Sequence, residues 1–431
     1  MKYKKSLFLA GLIILSISLF RATSFAASET AEQKSLLSKI HGSIEHRFFP
    51  YFERYRGDDG VVNETFLDLR LQDKLGKNFE YLIAPRVIMD DDHMSSGGVD
   101  DIVDDDIRRN IINFKEWYLR YKNDFLIMTA GKQIYSWGTA DIFNPTDNLN
   151  PRDVTDFIEN EKIGVPSFAL NLFRNNWKAD FILIPVFTPT RIPLVDTRWA
   201  PIPPDFSLAI NDRDLPDRSI NNVQFATRLG ATIDGWDLSA SYFEGFEYVP
   251  AGLISSPIPS SITPVYDKVR IYGMDFSTAL KGIEFHGEAA YYNRDNVDRN
   301  DYLQYIFGAN YTFNDIISDH DAKLTLEYAR EEIVNRANNP ARYLDLELSH
   351  VFRNSIMPKI EYVFDTRKKI EVGLIYNIDH EDYIIQPKFC YKPADNWDIE
   401  LGLDILEGDA GTVFGRYSKN DRGFVKTKFT F

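Results

Sequence analysis

The stretch WDIELGLDI, residues 397–405, alternates apolar and polar side chains along its whole length. Its apolar residues occupy the odd positions, and its three acidic residues occupy even positions. Successive side chains of a β-strand point to opposite faces, whereas a helix would scatter these residues around its surface. The stretch therefore predicts a β-strand with one apolar face and one charged face.

The same alternation recurs along most of the chain. Nineteen candidate strands follow it, at 43–53, 63–72, 78–90, 112–123, 124–134, 166–173, 176–187, 221–233, 235–247, 267–280, 282–294, 300–313, 321–331, 343–350, 357–365, 368–378, 382–391, 397–405 and 420–431. Because a charged face recurs in strand after strand, both faces cannot pack into a dry core. This favours a barrel with lipid outside and water inside over a soluble β-sandwich.

The number nineteen conflicts with the even strand numbers of single-chain bacterial barrels. Each connection between strands can be assigned to the periplasmic or the extracellular side by counting from either end of the chain. The two assignments disagree between residues 300 and 370, so one candidate strand there is merged or false. We predict an all-β fold: a single antiparallel transmembrane β-barrel of about 18 strands, with 16 as the alternative. Long extracellular loops and short periplasmic turns are expected to alternate.

The two ends of the chain predict its destination. Residues 1–26 combine the basic start MKYKK, an apolar run and the small-residue ending ATSFA, which indicates a cleaved secretory signal peptide. An uncleaved membrane anchor is the alternative. We expect a periplasmic segment at 27–42 and the barrel at 43–431.

Phe429 and Phe431 end the chain on one face of the last strand, which is typical of the signal that the outer-membrane assembly machinery recognises. The expected location is the bacterial outer membrane, in contact with lipid and lipopolysaccharide.

Composition excludes several function classes. The formal net charge of −15 argues against a nucleic-acid partner. The single cysteine, Cys390, allows no intrachain disulfide.

Neither a G-x-S-x-G elbow nor an H-E-x-x-H pair is present, and no cofactor is expected. His286, between Glu284 and Glu288 on one strand face, could act as a base, but a lumen histidine paired with acids is the commoner reason for such a pattern.

The stretch GKQIYSWGTADIFNPTDNLNPRD, residues 131–153, contains two N-P-x-D tetrads, at 144–147 and 150–153. Proline fixes φ, and Asn and Asp side chains bind nearby backbone N–H groups, so each tetrad predicts a stiff turn. We expect residues 138–160 to fold inward as a pore constriction; an ordered surface loop is the alternative. The candidate constriction residues are Lys132, Gln133, Trp137, Asp141, Asn144, Asp147, Asn150, Arg152 and Asp153.

This stretch resembles the signature of a porin-like bacterial outer-membrane family of uncharacterised function, G-[RK]-Q-x-x-x-W-G followed by N-P-x-D. Its core is also similar to that of alginate-export-type barrels. The resemblance implies a pore but no particular substrate. The sequence departs from the pattern in having Lys132 where Arg is common, and in having the second tetrad.

Two other loops offer candidate sites. The acidic stretch 90–106 could bind a divalent cation through oxygen ligands, although a solvated acidic loop is the simpler interpretation. Its candidate ligands are Asp90, Asp91, Asp92, Asp104, Asp105 and Asp106. The proline-rich loop 188–220, here the mouth loop, could grip an anionic or sugar-like ligand or could be a stiff lid. Its candidate residues are Arg191, Arg198, Trp199, Arg213 and Arg218.

The function predicted from these features is an outer-membrane, porin-like channel for passive or facilitated diffusion of small polar solutes through a loop-constricted lumen. The alternative is a structural barrel that scaffolds a partner complex. An outer-membrane enzyme is the third and weakest hypothesis.

Overall fold

The computed structural model describes residues 39–55, 59–91, 95–99, 103–193, 197–201, 208–255, 260–317, 319–346 and 350–431. The predicted signal peptide and most of the predicted periplasmic segment lie outside these ranges. No helix in the described part of the chain is long and apolar enough to cross a membrane.

Eighteen antiparallel strands form one closed barrel within the described residues. They are β1 Ile40–Pro50, β2 Val61–Leu75, β3 Phe79–Asp90, β4 Arg109–Lys122, β5 Leu126–Gln133, β6 Val165–Arg174, β7 Trp177–Ile184, β8 Gln224–Ile233, β9 Trp236–Phe246, β10 Lys268–Leu280, β11 Ile283–Arg294, β12 Asp301–Ile317, β13 His320–Asn335, β14 Asn354–Asp365, β15 Lys368–Asn377, β16 Asp382–Ala394, β17 Trp397–Glu407 and β18 Arg422–Thr430. Each strand pairs with the next, and β18 returns to pair with β1, with Ser43 opposite Thr430. The predicted 18-stranded barrel is confirmed.

The candidate strand at 343–350 is wrong. In the described part of that range, residues 343–346 and 350, the structure has a two-residue strand, Tyr343–Leu344, which pairs with Ala251–Ile254 in another loop. Leu346 is buried, with 7% of its surface exposed. Alternating leucines fit a loop that packs on its neighbours as well as they fit a strand, so the short pattern is ambiguous. Removing this candidate leaves the eighteen strands observed.

Short turns and long loops separate to opposite ends of the barrel. The turn end has connections of two or three residues, and the loop end has longer ones, including 134–164, 185–223 and 247–267. The turn residues Asp234 and Gly235 both have positive φ, 49° and 83°, which gives the local twist that a two-residue hairpin needs. In outer-membrane barrels the short turns face the periplasm.

The two faces of the strands differ as the alternation predicts. In β17, Leu401 and Leu403 point outward with 44% and 38% of their surface exposed. Asp404 points inward, is 1% exposed and accepts a hydrogen bond from Arg422. The outer surface is therefore apolar enough for lipid, and the charged groups line the lumen.

This assignment of faces predicts unequal effects of two neighbouring arginine substitutions. Leu401→Arg places a charge on the lipid face and should cost about 2–4 kcal/mol of folding free energy near the bilayer midplane. Glu400→Arg on the lumen face should cost much less. Folding yield of the purified chains into lipid vesicles, followed by the gel-mobility shift of folded barrels, measures both. Equal yields would contradict the assignment.

Candidate functional site

Residues 134–164 connect β5 to β6 and are here called the inner loop. Their hydrogen bonds and ion pairs reach inward-facing side chains on opposite walls of the barrel. One wall contributes two acids, Glu288 of β11 and Glu327 of β13. The other contributes arginines and lysines of β1, β3, β4 and β18. The inner loop therefore lies across the lumen and is attached to both sides.

Glu288 is the main attachment on the acidic wall. It is 2% exposed and accepts five hydrogen bonds from the inner loop. The donors are Thr139 N (2.6 Å), Ala140 N (2.8 Å), Asn144 Nδ2 (2.9 Å), Thr146 N (3.2 Å) and Thr146 Oγ1 (2.7 Å). Successive backbone N–H groups that converge on an oxyanion form a strong, directional site. The first N-P-x-D tetrad is thus folded around a wall carboxylate.

Two glycines of the motif lie where another group of the protein comes too close to the backbone for a Cβ atom to fit. Gly138 has φ +92°, and a Cβ there would lie 2.5 Å from Glu288 Oε1. Gly131 has φ +139°, and a Cβ there would lie 2.2 Å from the carbonyl oxygen of Trp117. Any other residue would be strained at both positions and would collide with its neighbour. Trp137, between them in sequence, is 6% exposed and belongs to the core cluster of this side of the lumen.

Glu327 is the second attachment on the acidic wall. Its fully buried carboxylate accepts hydrogen bonds from Asp141 N (2.6 Å) and Ile142 N (3.0 Å), and it pairs with His286 Nε2 at 2.8 Å. Asp141 in turn accepts a hydrogen bond from Asn310 Nδ2 at 2.7 Å. His286 therefore contacts Glu327 on a neighbouring wall position rather than Glu284 or Glu288.

Asp141, His286 and Glu327 also form the one group of potential metal ligands found among the described residues. Their ligand atoms all lie within 4.8 Å of one another. However, three hydrogen bonds already occupy the carboxylate of Glu327. The geometry is accounted for by attachment of the inner loop, and we assign no metal to it.

The second N-P-x-D tetrad ties the two legs of the inner loop together. Asn150 Oδ1 accepts a hydrogen bond from Tyr135 N (2.7 Å), and its Nδ2 donates to the carbonyl oxygens of Gln133 (3.2 Å) and Ile163 (2.8 Å). One amide thus binds both the start and the end of the loop. Asp147 of the first tetrad adds an ion pair with Lys162 at 2.5 Å.

Four acids of the inner loop bind the basic wall. Their pairs are Asp153 with Arg109 (2.9 Å), Asp156 with Arg422, Glu159 with Lys426 (2.6 Å) and Glu161 with Arg86 (2.6 Å). Arg47 lies 3.5 Å from Glu159 and 3.1 Å from Glu161. Buried charges are costly unless they are paired, so these contacts fix where the loop can lie. The acids at 156–161 and their partners on the wall were not predicted from the sequence. The one feature that could have indicated them is the cluster of acidic residues in this part of the loop.

The structure brings seven of the nine candidate constriction residues into the inner loop. They are Trp137, Asp141, Asn144, Asp147, Asn150, Arg152 and Asp153. Arg152 is held by Asn160 at 2.8 Å. The other two end β5: Lys132 is 1% exposed, and Gln133 donates to Ser167 Oγ at 2.9 Å. The role of all nine residues in a constriction stays a prediction.

The mouth-loop candidates contact acidic and aromatic residues of the protein itself. Arg191 binds Asp104 and Asp153, Arg198 lies over the ring of Tyr51 at 4.1 Å, and Arg213 and Arg218 both bind Asp105. Trp199 is 4% exposed and packs on Tyr417, with ring centroids 5.4 Å apart. Arg191, Arg213 and Arg218 thus bind the adjacent residues Asp104 and Asp105. Trp199 is part of a packed core. A ligand site in the mouth loop stays a prediction.

The aspartates of the acidic stretch 90–106 also have separate partners. Asp91 accepts from Asn63, Asp104 from Asn113 and Arg191, Asp105 from Arg218, and Asp106 from Asn110. Asp90 ends β3, and Asp92 lies outside the described residues. The divalent-cation site proposed for this stretch stays a prediction.

The C-terminal aromatics lie at the turn end of the closing strand. Phe429 packs on Trp397 of β17, with ring centroids 5.0 Å apart. The backbone of Phe431 exchanges two hydrogen bonds of 2.9 Å with Gly42 of β1. Both residues are therefore at the seam that closes the barrel, and their use as an assembly signal stays a prediction.

A buried histidine links the loop end to the wall. His350, in loop 336–353, contacts Glu331 Oε2 through Nδ1 (2.6 Å) and Asp345 Oδ2 through Nε2 (3.6 Å). Arg353 and Arg299 face the same carboxylates, and the ring of Tyr302 packs edge-on to the imidazole. Burial acts to lower the pKa of His350, but Asp345 and Glu331 outweigh it and raise the pKa to about 9.

This raised pKa predicts a pH dependence of stability. The folded-state pKa of His350 is above its ordinary value of about 6.5, so its contribution is complete below pH 6.5 and is lost as pH rises through about 9. Thermal unfolding of the detergent-solubilised barrel should therefore show a fall in stability over this range. His350→Gln should make the stability less dependent on pH over this range, whereas His380→Gln should leave the pH dependence unchanged. An unchanged profile in His350→Gln would contradict the prediction.

Comparison with known proteins gives a likeness of fold. No family model matches the chain, and no curated protein matches it. Among solved structures, the chain is similar to Wzi, an outer-membrane protein involved in group 1 capsule assembly in Escherichia coli and described as a carbohydrate-binding β-barrel. The match has 10% identity and a TM-score of 0.51 and covers 93% of this chain and 86% of that one. A mutant of the Rh. blastica porin matches at 11% identity and a TM-score of 0.43, over 91% and 99% of the two chains. At such identities the Wzi match shows the fold alone, and the porin match carries no argument.

Proposed function

We propose that this protein is an outer-membrane channel that lets small polar solutes diffuse through a lumen narrowed by the inner loop. The observation that carries the proposal is the attachment of one loop to both walls, by Glu288 and Glu327 on one side and by paired bases on the other. A loop held this firmly sets a fixed width, and a fixed width is what size selection requires.

The path for solutes is the space that the inner loop leaves beside β9–β16. A cavity of about 460 Å³ lies there, bounded by residues of the inner loop and by β9, β10, β11, β12, β15 and β16. Movement through it is passive or facilitated diffusion and needs no cofactor. Selection depends on the width and on the groups that line the cavity.

Several features support placement in the outer membrane. The outward face of the strands is apolar, the N-terminus predicts an export signal, and residues 131–147 resemble the porin-like family signature. Lipid, lipopolysaccharide and the outer-membrane assembly machinery are the partners that follow from this placement.

A second candidate is a barrel that binds or scaffolds a partner without conducting. The ion pairs that fix the inner loop to the basic wall favour it, since a loop fixed inside the lumen obstructs passage. Wzi, which shares the fold, is described as a carbohydrate-binding barrel involved in capsule assembly.

Planar-bilayer recording of the purified, refolded protein separates the two candidates. A channel should give discrete conductance steps, smaller than those of an unobstructed barrel of the same strand number because the inner loop narrows the path. Absence of any step from protein shown to be folded and inserted would reject the channel and leave the binding barrel.

A further inference from the structure

Two cavities beside the inner loop differ in the chemistry of their lining residues. A small cavity of about 50 Å³ on the basic-wall side is lined mainly by charged residues, seven basic and four acidic, among them Arg86, Arg109 and Glu161. The cavity of about 460 Å³ on the other side, here the lumen cavity, is lined by nine aromatic side chains and six amides but only three charged residues. The composition of the lumen cavity therefore favours a neutral ligand over a charged one.

The three charged residues of the lumen cavity are already paired. Asp147 binds Lys162 at 2.5 Å and lies 3.6 Å from Arg152, and Glu247 binds Arg294 at 2.8 Å. An ion that entered would lose its hydration without gaining an unpaired opposite charge, which is unfavourable. This argues against a charged solute as the preferred occupant.

A purely apolar occupant is disfavoured by the amide of Asn148, whereas Asn144 and Asn150 already bind groups of the protein. Burial of an amide against hydrocarbon leaves its hydrogen-bonding groups unsatisfied, which costs free energy. Asn148 illustrates this, because its buried Oδ1 has no hydrogen-bond partner among the residues that the structure describes. Asn148 lies between the two N-P-x-D tetrads, so the two stiff turns hold this amide at the cavity.

Aromatic rings supply the other half of the recognition. Phe143 of the inner loop stacks on Phe352 with ring centroids 4.5 Å apart, and Tyr292 stacks on Tyr302 at the same distance. All four rings line the lumen cavity. A ligand that fits needs flat apolar faces for such rings and an edge of groups that both donate and accept hydrogen bonds, as amides do.

We infer that the lumen cavity is a binding site for a neutral saccharide of one or two rings. A pyranose has an apolar C–H face and an edge of hydroxyls, each of which donates and accepts. The volume lies within the range of small-ligand pockets, about 300–1,000 Å³. The inference rests on the proposed function, because the same cavity is the proposed path for solutes. Binding and passage would then occur at one place.

Isothermal titration calorimetry of the folded protein in detergent tests this with maltose, cellobiose and sucrose, and with sodium gluconate as the charged comparison. At least one disaccharide should bind saturably, and gluconate should bind more weakly. Asn148→Ala removes the unpartnered amide, and Phe352→Leu removes a ring while keeping an apolar side chain. Each should weaken binding about two- to tenfold, the loss of one hydrogen bond or ring contact. Asn176→Ala, at the turn end, is the matched control and should not.

Each result has a distinct meaning. Failure of all three disaccharides to bind, preference for gluconate, or unchanged affinity in both cavity variants would overturn the saccharide site. Conductance of the same preparation is recorded separately. Conductance without saccharide binding refutes this inference and leaves the channel, whereas saccharide binding without conductance refutes the channel and keeps the site.

Discussion

Glu288→Ala should raise the single-channel conductance severalfold. The substitution removes a buried carboxylate that accepts five hydrogen bonds from residues 139–146 of the inner loop. Hydrogen bonds to a charged group each contribute about 1.5–3 kcal/mol. The loss of all five should therefore be enough to detach the acidic-wall end of the loop. The released segment would then move out of the lumen or fluctuate within it, and the open-channel current would rise and become noisier.

Glu284→Ala is the matched control for this prediction. Glu284 lies on the same face of β11, nearer the turn end, and is exposed. Its removal deletes the same charge from the lumen without detaching the inner loop. If the two variants show the same small change, the conductance depends on lumen charge rather than on the attachment of the loop. Deletion of residues 141–153 should give an increase at least as large as that of Glu288→Ala.

Strand positions could be predicted from the sequence because lipid and water impose a period of two on every strand. The alternation in 397–405 depends only on local neighbours, and it is visible without any knowledge of pairing. The error at 343–350 has the same origin, since a short alternation also fits a loop that buries a leucine such as Leu346. The even number of strands in such barrels indicates that one of the nineteen candidates is false, and the disagreement between the membrane sides assigned from the two termini places it between residues 300 and 370.

The attachment of the inner loop could be predicted only in part. Proline and asparagine indicate stiff turns because their effects are local. The partners that fix those turns are remote: Arg47 and Glu161 are 114 residues apart, and Arg422 and Asp156 are 266 apart. Spacing carries no information about such pairs. The wall carboxylates Glu288 and Glu327 looked like ordinary lumen acids, because their role depends on a loop that the alternation does not describe.

Arg422→Met should cost the barrel about 3–5 kcal/mol of unfolding free energy, the range for removing one partner from a buried ion pair. Arg422 is fully buried in β18 and lies over the ring of Phe49 at 4.1 Å. Its Nε donates to Asp404 at 2.7 Å, and its Nη1 donates to Tyr51 at 3.1 Å and also binds Asp156 of the inner loop. Urea unfolding of the barrel in lipid vesicles measures the change.

Most of this cost should come from the acids that remain. Asp404 is 1% exposed, so without the guanidinium it is a buried, unpaired carboxylate. The double variant Arg422→Met with Asp404→Asn should therefore recover part of the loss, which simple loss of packing would not allow. Lys426→Met is the matched control, because Lys426 lies on the same strand but is more exposed, and its ion-pair partner is Glu159, at 2.6 Å. If Lys426→Met destabilises the barrel as much as Arg422→Met, the buried cluster is not what joins the closing strand to the inner loop.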